Sequence, residues 1–303
     1  MRLFILFIST LLFAHEPIQP IPQSVPYDKE KAAIGKLLFF DPILSKDRSV
    51  SCASCHDPDH GGADPRSVSI GVEGKRGSVN SPTVFNAIFN FKQFWNGRAN
   101  DLAQQASGPI HAPNEMGMDE KSIEKRLNKS SFYKKRFKKV YKTDRISYDM
   151  VIDAIVEFEK ALITPNSKFD RYLRGEAKLS PLEQRGYRLF KELGCITCHN
   201  GVNLGGNSFQ KMGLVYPYSG KTTLDRYALT HKEEDKGVYK VPTLRNIALT
   251  APYFHDGSAK TLQEAVDKMS YHNLGFKLSA SEQTAIIAFL HTLTGEKPKI
   301  LQP

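Results

Sequence analysis

Every cysteine of this 303-residue chain lies in one of two matching pentapeptides, Cys52-Ala53-Ser54-Cys55-His56 and Cys195-Ile196-Thr197-Cys198-His199. Two thiols three positions apart on one helical turn reach both vinyl groups of a single porphyrin, and the adjacent histidine comes beneath the iron as its proximal ligand. Each pentapeptide therefore reads as the attachment site of a c-type haem. A cage of four thiolates around one structural zinc is the alternative. Such cages bring their pairs close together in sequence and need no histidine after both. With two haems attached, no thiol is left for a disulfide.

The elements that must hold these motifs show a repeat. Gly35-Lys36-Leu37-Leu38-Phe39 precedes the first motif and Gly186-Tyr187-Arg188-Leu189-Phe190 the second, and each motif is followed by a glycine pair, Gly61-Gly62 and Gly205-Gly206. Duplication of one cytochrome-like unit explains the pattern. Ser180-Pro181-Leu182-Glu183 combines a capping box with proline at the first helical position and starts a helix toward Cys195. Thr261 with Glu264, and Ser279 with Glu282, predict helices over Leu262 to Met269 and Ala280 to Leu293. Tyr148 to Ile163 reads as a helix with Val151, Ile155, Phe158 and Leu162 on one face. Strand alternation is scarce. The expected fold is all-α: two cytochrome c-like haem domains with long loops and little β structure, divided at Thr164-Pro165-Asn166-Ser167 into 15–164 and 165–303.

Residues 1–14 have the short basic start, apolar run and small residue of a secretory signal. The run is too short to span a bilayer. An uncleaved anchor is the alternative, against which stands the abrupt change to the proline-rich stretch Pro17 to Pro26. No later stretch is apolar enough to span, so no membrane span is expected in the mature chain, and export to the periplasm agrees with c-type haem attachment. The net charge of +10 shrinks once Arg2 leaves with the signal and four haem propionates arrive. Much of the excess lies between Lys121 and Arg145, where lysines interleave with Phe132, Tyr133, Phe137 and Tyr141. That segment either steers an acidic partner or is the solvated face of an amphipathic helix. Nucleic acid is not an expected partner of an exported haem protein.

From about Lys31 to Thr294 the chain resembles the bacterial di-haem cytochrome c peroxidases. The resemblance rests on the haem motifs together with Asn80-Ser81-Pro82-Thr83, Phe94-Trp95-Asn96-Gly97-Arg98-Ala99, Gln105-Ala106-Ser107-Gly108-Pro109, Glu115-Met116 and Leu249-Thr250-Ala251-Pro252-Tyr253-Phe254-His255, in the family's order. It implies an N-terminal haem where hydrogen peroxide reacts and a C-terminal haem of higher potential that accepts electrons from a small donor cytochrome c or similar protein. A calcium ion near the domain interface is also implied, and a homodimer is left open. Glu115 is then the acid/base that moves a proton between the peroxide oxygens, Gln105 positions peroxide or water, and Trp95 stands between the haems. Met269 is the thioether ligand of the second haem, with Met212 and His272 as substitutes, and Asn80, Thr250 and Pro252 supply oxygens to calcium. His255, in the same interface motif, holds the interface or a propionate. Without the resemblance Glu115 reads as a surface acid, Gln105 as an ordinary helix residue, Met269 as core filler and Trp95 and His255 as structural.

One position departs from the family. Many relatives carry a histidine after Ser69-Ile70-Gly71 that caps the first iron in the resting enzyme; here the residue is Val72, which cannot ligate. The first iron is then expected to be five-coordinate or water-bound even when oxidised, unless His60 or His111 substitutes. Two rival readings remain. A methylamine-utilisation type of enzyme has tyrosine where Met269 stands, and a plain electron carrier has both irons closed to substrate.

Overall fold

The computed structural model describes residues 16–220 and 224–302, so the expected signal segment lies outside the described residues. The chain folds as two similar helical units. In the first, α1 (Lys29–Phe40) crosses α5 (Tyr148–Lys160), with α2 (Leu102–His111), α3 (Glu120–Lys129) and α4 (Ser131–Tyr141) between them in sequence. The second has α6 (Lys168–Leu173), α7 (Pro181–Glu192), α8 (Tyr227–Thr230), α9 (Leu262–Met269) and α10 (Ala280–His291), with α7 crossing α10. Among the described residues the only sheet is the antiparallel pair β1 (Phe209–Lys211) and β2 (Val238–Lys240), Phe209 opposite Lys240. The all-α expectation holds.

Capping chemistry sets the helix starts. Ser180 accepts from the Glu183 N–H and Glu183 from the Ser180 N–H, and Ser279 and Glu282 exchange the same pair of bonds. At α9 the box is not closed. Thr261 caps Glu264 as expected, but Glu264 reaches one residue further back and accepts from Lys260 N–H at 2.7 Å. The helix expected over Tyr148 to Ile163 ends at Lys160; Val151, Ile155 and Phe158 are buried along it and Leu162 is buried just past its end. In the basic stretch, Tyr133 and Phe137 enter the core while Phe132 is 45% exposed under the Arg136 guanidinium. The segment is mainly an amphipathic surface.

The duplicated glycines have a steric cause. A Cβ on Gly35 would lie 1.9 Å from the Ala154 carbonyl oxygen and 2.8 Å from Phe158 Cβ; one on Gly186 would lie 1.9 Å from Ala285 O and 2.9 Å from Phe289 Cβ. Both helix pairs thus cross backbone against backbone, on the helix that precedes their haem motif. The repeat continues from Pro82 to Ala99 and from Pro242 to Ala259. Asn86 and Asn246 both take a left-handed conformation (φ 60°), and Gln93 bridges Ala99 as Tyr253 bridges Ala259.

The chain ends cross between units. Ile18 packs in the second core, and the buried Arg245–Asp170 ion pair (2.7 Å) ties down the same segment, Arg245 donating to Gln19 O and Asp170 accepting from Ile21 N. At the other end, Ile300 and Leu301 pack against the first unit beside Cys52 and Ala53, and Lys36 donates to Ile300 O. Gly35→Ala and Gly186→Ala should each lower the stability of the holoprotein by about 1–3 kcal/mol through overpacking. Unchanged denaturant midpoints would contradict the close crossing.

Candidate functional site

Each haem motif opens with a short 3-10 turn, Cys52–Ser54 and Cys195–Thr197, and each histidine N–H bonds back to the first cysteine's carbonyl, at 3.0 Å for His56 and 3.1 Å for His199. The two motifs open onto one continuous cavity, whose walls include Cys52, Cys55, His56, Cys195, Cys198 and His199. His56 Nδ1 lies 3.1 Å from Pro82 O, and His199 Nδ1 lies 3.2 Å from Leu204 O. A carbonyl can only accept, so each Nδ1 carries the proton and each Nε2 lone pair is left for a metal. Burial lowers the pKa of both imidazoles, that of His199 to about 4, and so keeps them neutral. Burial also pushes the Cys52 thiol up to about 12 and Cys195 to about 11. Among the described residues no three Cys, His, Asp or Glu side chains gather around one point. The four-thiolate zinc cage is therefore not formed.

The cavity fits haem on a further ground. Two buried side-chain polar atoms among the described residues have no hydrogen-bond partner, Glu159 Oε2 and His255 Nε2. Both residues stand in this cavity's wall. Buried polar groups are ordinarily satisfied, so these two await whatever fills it.

On the first side, α2 is capped by Asp101, which accepts from Gln104 N–H at 2.9 Å, and Gln105 and Pro109 line the cavity. The chain then turns back through Ala112, which accepts from Glu115 N–H at 2.9 Å, and Glu115 joins the same wall. Burial raises the Glu115 pKa, and the positive field of Arg98 opposes that rise. Arg98 is itself stacked on Phe94, its guanidinium 3.3 Å from the ring centre. Sequence reasoning gave no role to Arg98 or Phe94, although both stand in a motif it singled out.

The loop that carries a histidine in many relatives is latched against the Glu115 turn. Val72 is fully buried and donates its N–H to Glu115 O at 2.8 Å, while a Cβ on Gly71 would come within 2.2 Å of Asn114 O. Neither suggested substitute reaches the cavity. His60 is exposed and pairs with Asp57 at 2.7 Å, and His111 is exposed, its Nδ1 2.9 Å from Ser107 O.

On the second side, Met269 ends α9 and lines the cavity, followed at once by a π-turn over Ser270–Leu274. Met212 also lines it. His272 does not; its Nδ1 lies 3.1 Å from Tyr216 O. In the repeat that pairs Pro82 with Pro242, the place of Met269 in α9 is taken by Pro109 in α2. Proline has no ligating side chain.

The two units meet through exchanged bonds. Asn80 N–H donates to His255 O at 2.8 Å, and Lys240 N–H, at the matching place in the repeat, donates to Trp95 O at 2.7 Å. Trp95 Nε1 donates to Asn80 O at 2.8 Å, and the Trp95 and His255 rings meet edge to face at 6.1 Å. Thr250 and Pro252 line the cavity near them, and Asn80 commits its amide nitrogen to Arg66 O, leaving the amide oxygen as its other polar end.

Two cytochrome-like units whose haem motifs open onto one shared cavity define a di-haem c-type redox protein. Residues 29–178 match the family model for di-haem cytochrome c peroxidase, and 183–294 match that for cytochrome c. The chain is 47% identical to cytochrome c551 peroxidase of Nitrosomonas europaea, over 97% of this chain and 88% of that protein. It is 40% identical to cytochrome c551 peroxidase of Pseudomonas aeruginosa, over 94% and 86%. A solved MauG-like protein associated with microbial copper homeostasis superposes with a TM-score of 0.83 at 30% identity, covering 95% of each chain. The chain belongs to the bacterial di-haem cytochrome c peroxidase family, a family of oxidoreductases.

With Val72 in the loop and both histidine substitutes outside the cavity, the fully oxidised holoprotein should show one high-spin ferric haem beside one low-spin haem in its electron paramagnetic resonance spectrum. A low-spin bis-histidine signal for the first haem would sink that expectation.

Proposed function

We propose that this chain reduces hydrogen peroxide to two waters, using two protons and two electrons supplied one at a time by a small periplasmic cytochrome c or similar donor. What carries the reading is the asymmetry of the cavity: Glu115, Gln105 and Arg98 converge on the His56 side, where Pro109 replaces the ligating residue of the other half. A haem iron held by His56 supplies the redox chemistry at that place. The Glu115 carboxylate takes the proton from the nearer peroxide oxygen and returns it to the departing one. Gln105 holds peroxide or water by hydrogen bonding, and the Arg98 guanidinium steadies negative charge beside Glu115. Trp95 gives an aromatic bridge toward the second side, where Met269 supplies the sulfur that closes the second haem and raises its potential.

Asn80, Thr250 and Pro252 are proposed as oxygen donors to a calcium ion at the interface. The reading also includes export by a signal within residues 1–14, a domain boundary near Thr164, and room for a homodimer. Among the described residues no helix is long and apolar enough to cross a membrane.

Glu115→Gln should reduce peroxide-dependent oxidation of a reduced donor cytochrome by about 10²–10⁴-fold with both haem spectra retained. The wild-type rate should fall as pH drops through the raised Glu115 pKa, because the protonated acid cannot accept a proton. The variant should lose that limb. Full activity in Glu115→Gln would overturn the acid/base role of Glu115; no turnover with peroxide in the wild type would return the protein to the class of plain carriers.

Met269→Ala should convert the second haem from low spin to high spin and lower its potential, whereas Met212→Ala leaves the spectrum unchanged. The reverse outcome would move the ligand to Met212.

A further inference from the structure

The two halves align through their last helices, residue for residue. Ala154-Ile155-Val156-Glu157-Phe158-Glu159 in α5 corresponds to Ala285-Ile286-Ile287-Ala288-Phe289-Leu290 in α10. The match is structural as well: the Ala154 and Ala285 carbonyls meet the two crossing glycines, Phe158 and Phe289 are fully buried, and Ile155 and Ile286 both face the cavity. One cavity-facing position differs in kind. Leu290 is 4% exposed and Glu159 is 5% exposed, so the half that reacts with peroxide carries a carboxyl where the other carries an isobutyl group.

Among the described residues no cation or hydrogen-bond donor offsets that carboxyl. Its Oε2 is buried without a hydrogen-bond partner, although burying a carboxyl in this way costs several kcal/mol if it stays ionised. Its neighbours on α5, Glu157 and Lys160, pair with each other at 2.5 Å. From α1, packed against α5, Phe39 meets Phe158, and Lys36 turns away to Ile300 O. From the haem motif the ionisable group that feels Glu159 is Cys52, whose thiol is consumed when haem is attached. Glu115 and Arg98 line the same cavity and act on each other. Burial alone raises the Glu159 acid to about 8; the extra positive charge of a ferric haem beside it would favour the carboxylate, and a ferrous haem would favour the acid. The remaining charge in reach that changes during turnover is that of the first haem.

We propose that Glu159 is the proton acceptor coupled to reduction of the first haem. Each electron entering that haem draws one proton from solvent onto the Glu159 carboxylate, giving the neutral acid, and oxidation of the haem releases it. Glu159 acts here by setting charge beside Cys52, not by touching peroxide, so it is a positioning residue for electrons and protons. The half with Leu290 has no such group, and its haem gains and loses electrons without a proton at this place. The inference deepens the proposed function and rests on haem attachment at His56.

The test is a spectroelectrochemical titration of the full holoprotein across neutral and mildly alkaline pH, following the two haems separately. In the wild type the reduction equilibrium of the first haem should become less favourable as pH rises, by up to tenfold per pH unit where one proton accompanies one electron. Glu159→Gln, which keeps the shape, and Glu159→Leu, which copies the second half, should both flatten that dependence. The second haem should titrate alike in all three proteins. A flat wild-type profile for the first haem overturns the inference, and so does a wild-type slope retained in both variants. Peroxide turnover in the same preparations is a separate readout. Turnover with a flat potential overturns the Glu159 assignment and leaves the proposed function standing; a pH-linked potential lost in the variants, without turnover, does the reverse.

Discussion

A hydrogen bond from an imidazole Nδ1–H to a backbone carbonyl, made twice along one cavity, is the constraint from which the rest follows. Pro82 O and Leu204 O lie 3.1 and 3.2 Å from His56 and His199 Nδ1. Because a carbonyl cannot donate, the bond settles the tautomer and leaves Nε2 for the cavity side. Holding those carbonyls in place requires the loops after each motif to be rigid. Thr83 Oγ1 donates to Gly61 O and Thr243 Oγ1 to Asn203 O, both at 2.6 Å, so each proline loop is tied to the turn behind its haem motif. The crossed helices at Gly35 and Gly186 then fix where each motif starts.

On that common frame most side chains differ between the halves, and three of the differences face the shared cavity. Pro109 faces Met269 across the repeat, Glu159 faces Leu290, and Trp95 faces His255. In the first pair the first half has proline where the second has a thioether, and in the second pair it has an acid where the second has a leucine, differences that fit the proposed reaction of the first half with a small polar oxidant. A thioether and a leucine at these places in the second half fit the proposed role of a centre that passes electrons without binding substrate. The exchanged bonds Asn80 to His255 and Lys240 to Trp95 make this difference usable. Each half grips the backbone of the other's aromatic loop, so the two sites share one wall.

Local chemistry was legible in the sequence and long-range placement was not. The haem motifs, the Ser180 and Ser279 capping boxes and the glycines before each motif announce themselves within five or six residues, because their causes are local: helix caps, thiol spacing and a missing Cβ. Glu115, Gln105 and Trp95 were found through a resemblance, and the fold puts all three on one cavity wall. Arg98 was passed over because cation stacking on Phe94 leaves no spacing signature. The crossing of the chain ends was missed for the same reason: Ile18 and Ile300 are ordinary apolar residues until the partner unit is in place. The α9 box failed to close because Lys260 N–H competes for the Glu264 carboxylate, a rivalry that a four-residue pattern cannot show.

Glu159 shows what a single-chain reading overlooks and an internal repeat supplies. In isolation Val156-Glu157-Phe158-Glu159-Lys160 looks like the polar edge of an amphipathic helix, and Glu157 with Lys160 fulfils that description. Helical geometry places Glu159 one residue past the fully buried Phe158, where solvent or cavity are both open to it. The alignment with Leu290 decides between them, since the same turn of α10 is apolar and faces inward. A duplicated fold therefore carries its own reference state. Where one copy keeps a leucine and the other places an unpaired acid, the acid costs folding free energy, and that cost points to a charge the bare chain does not contain.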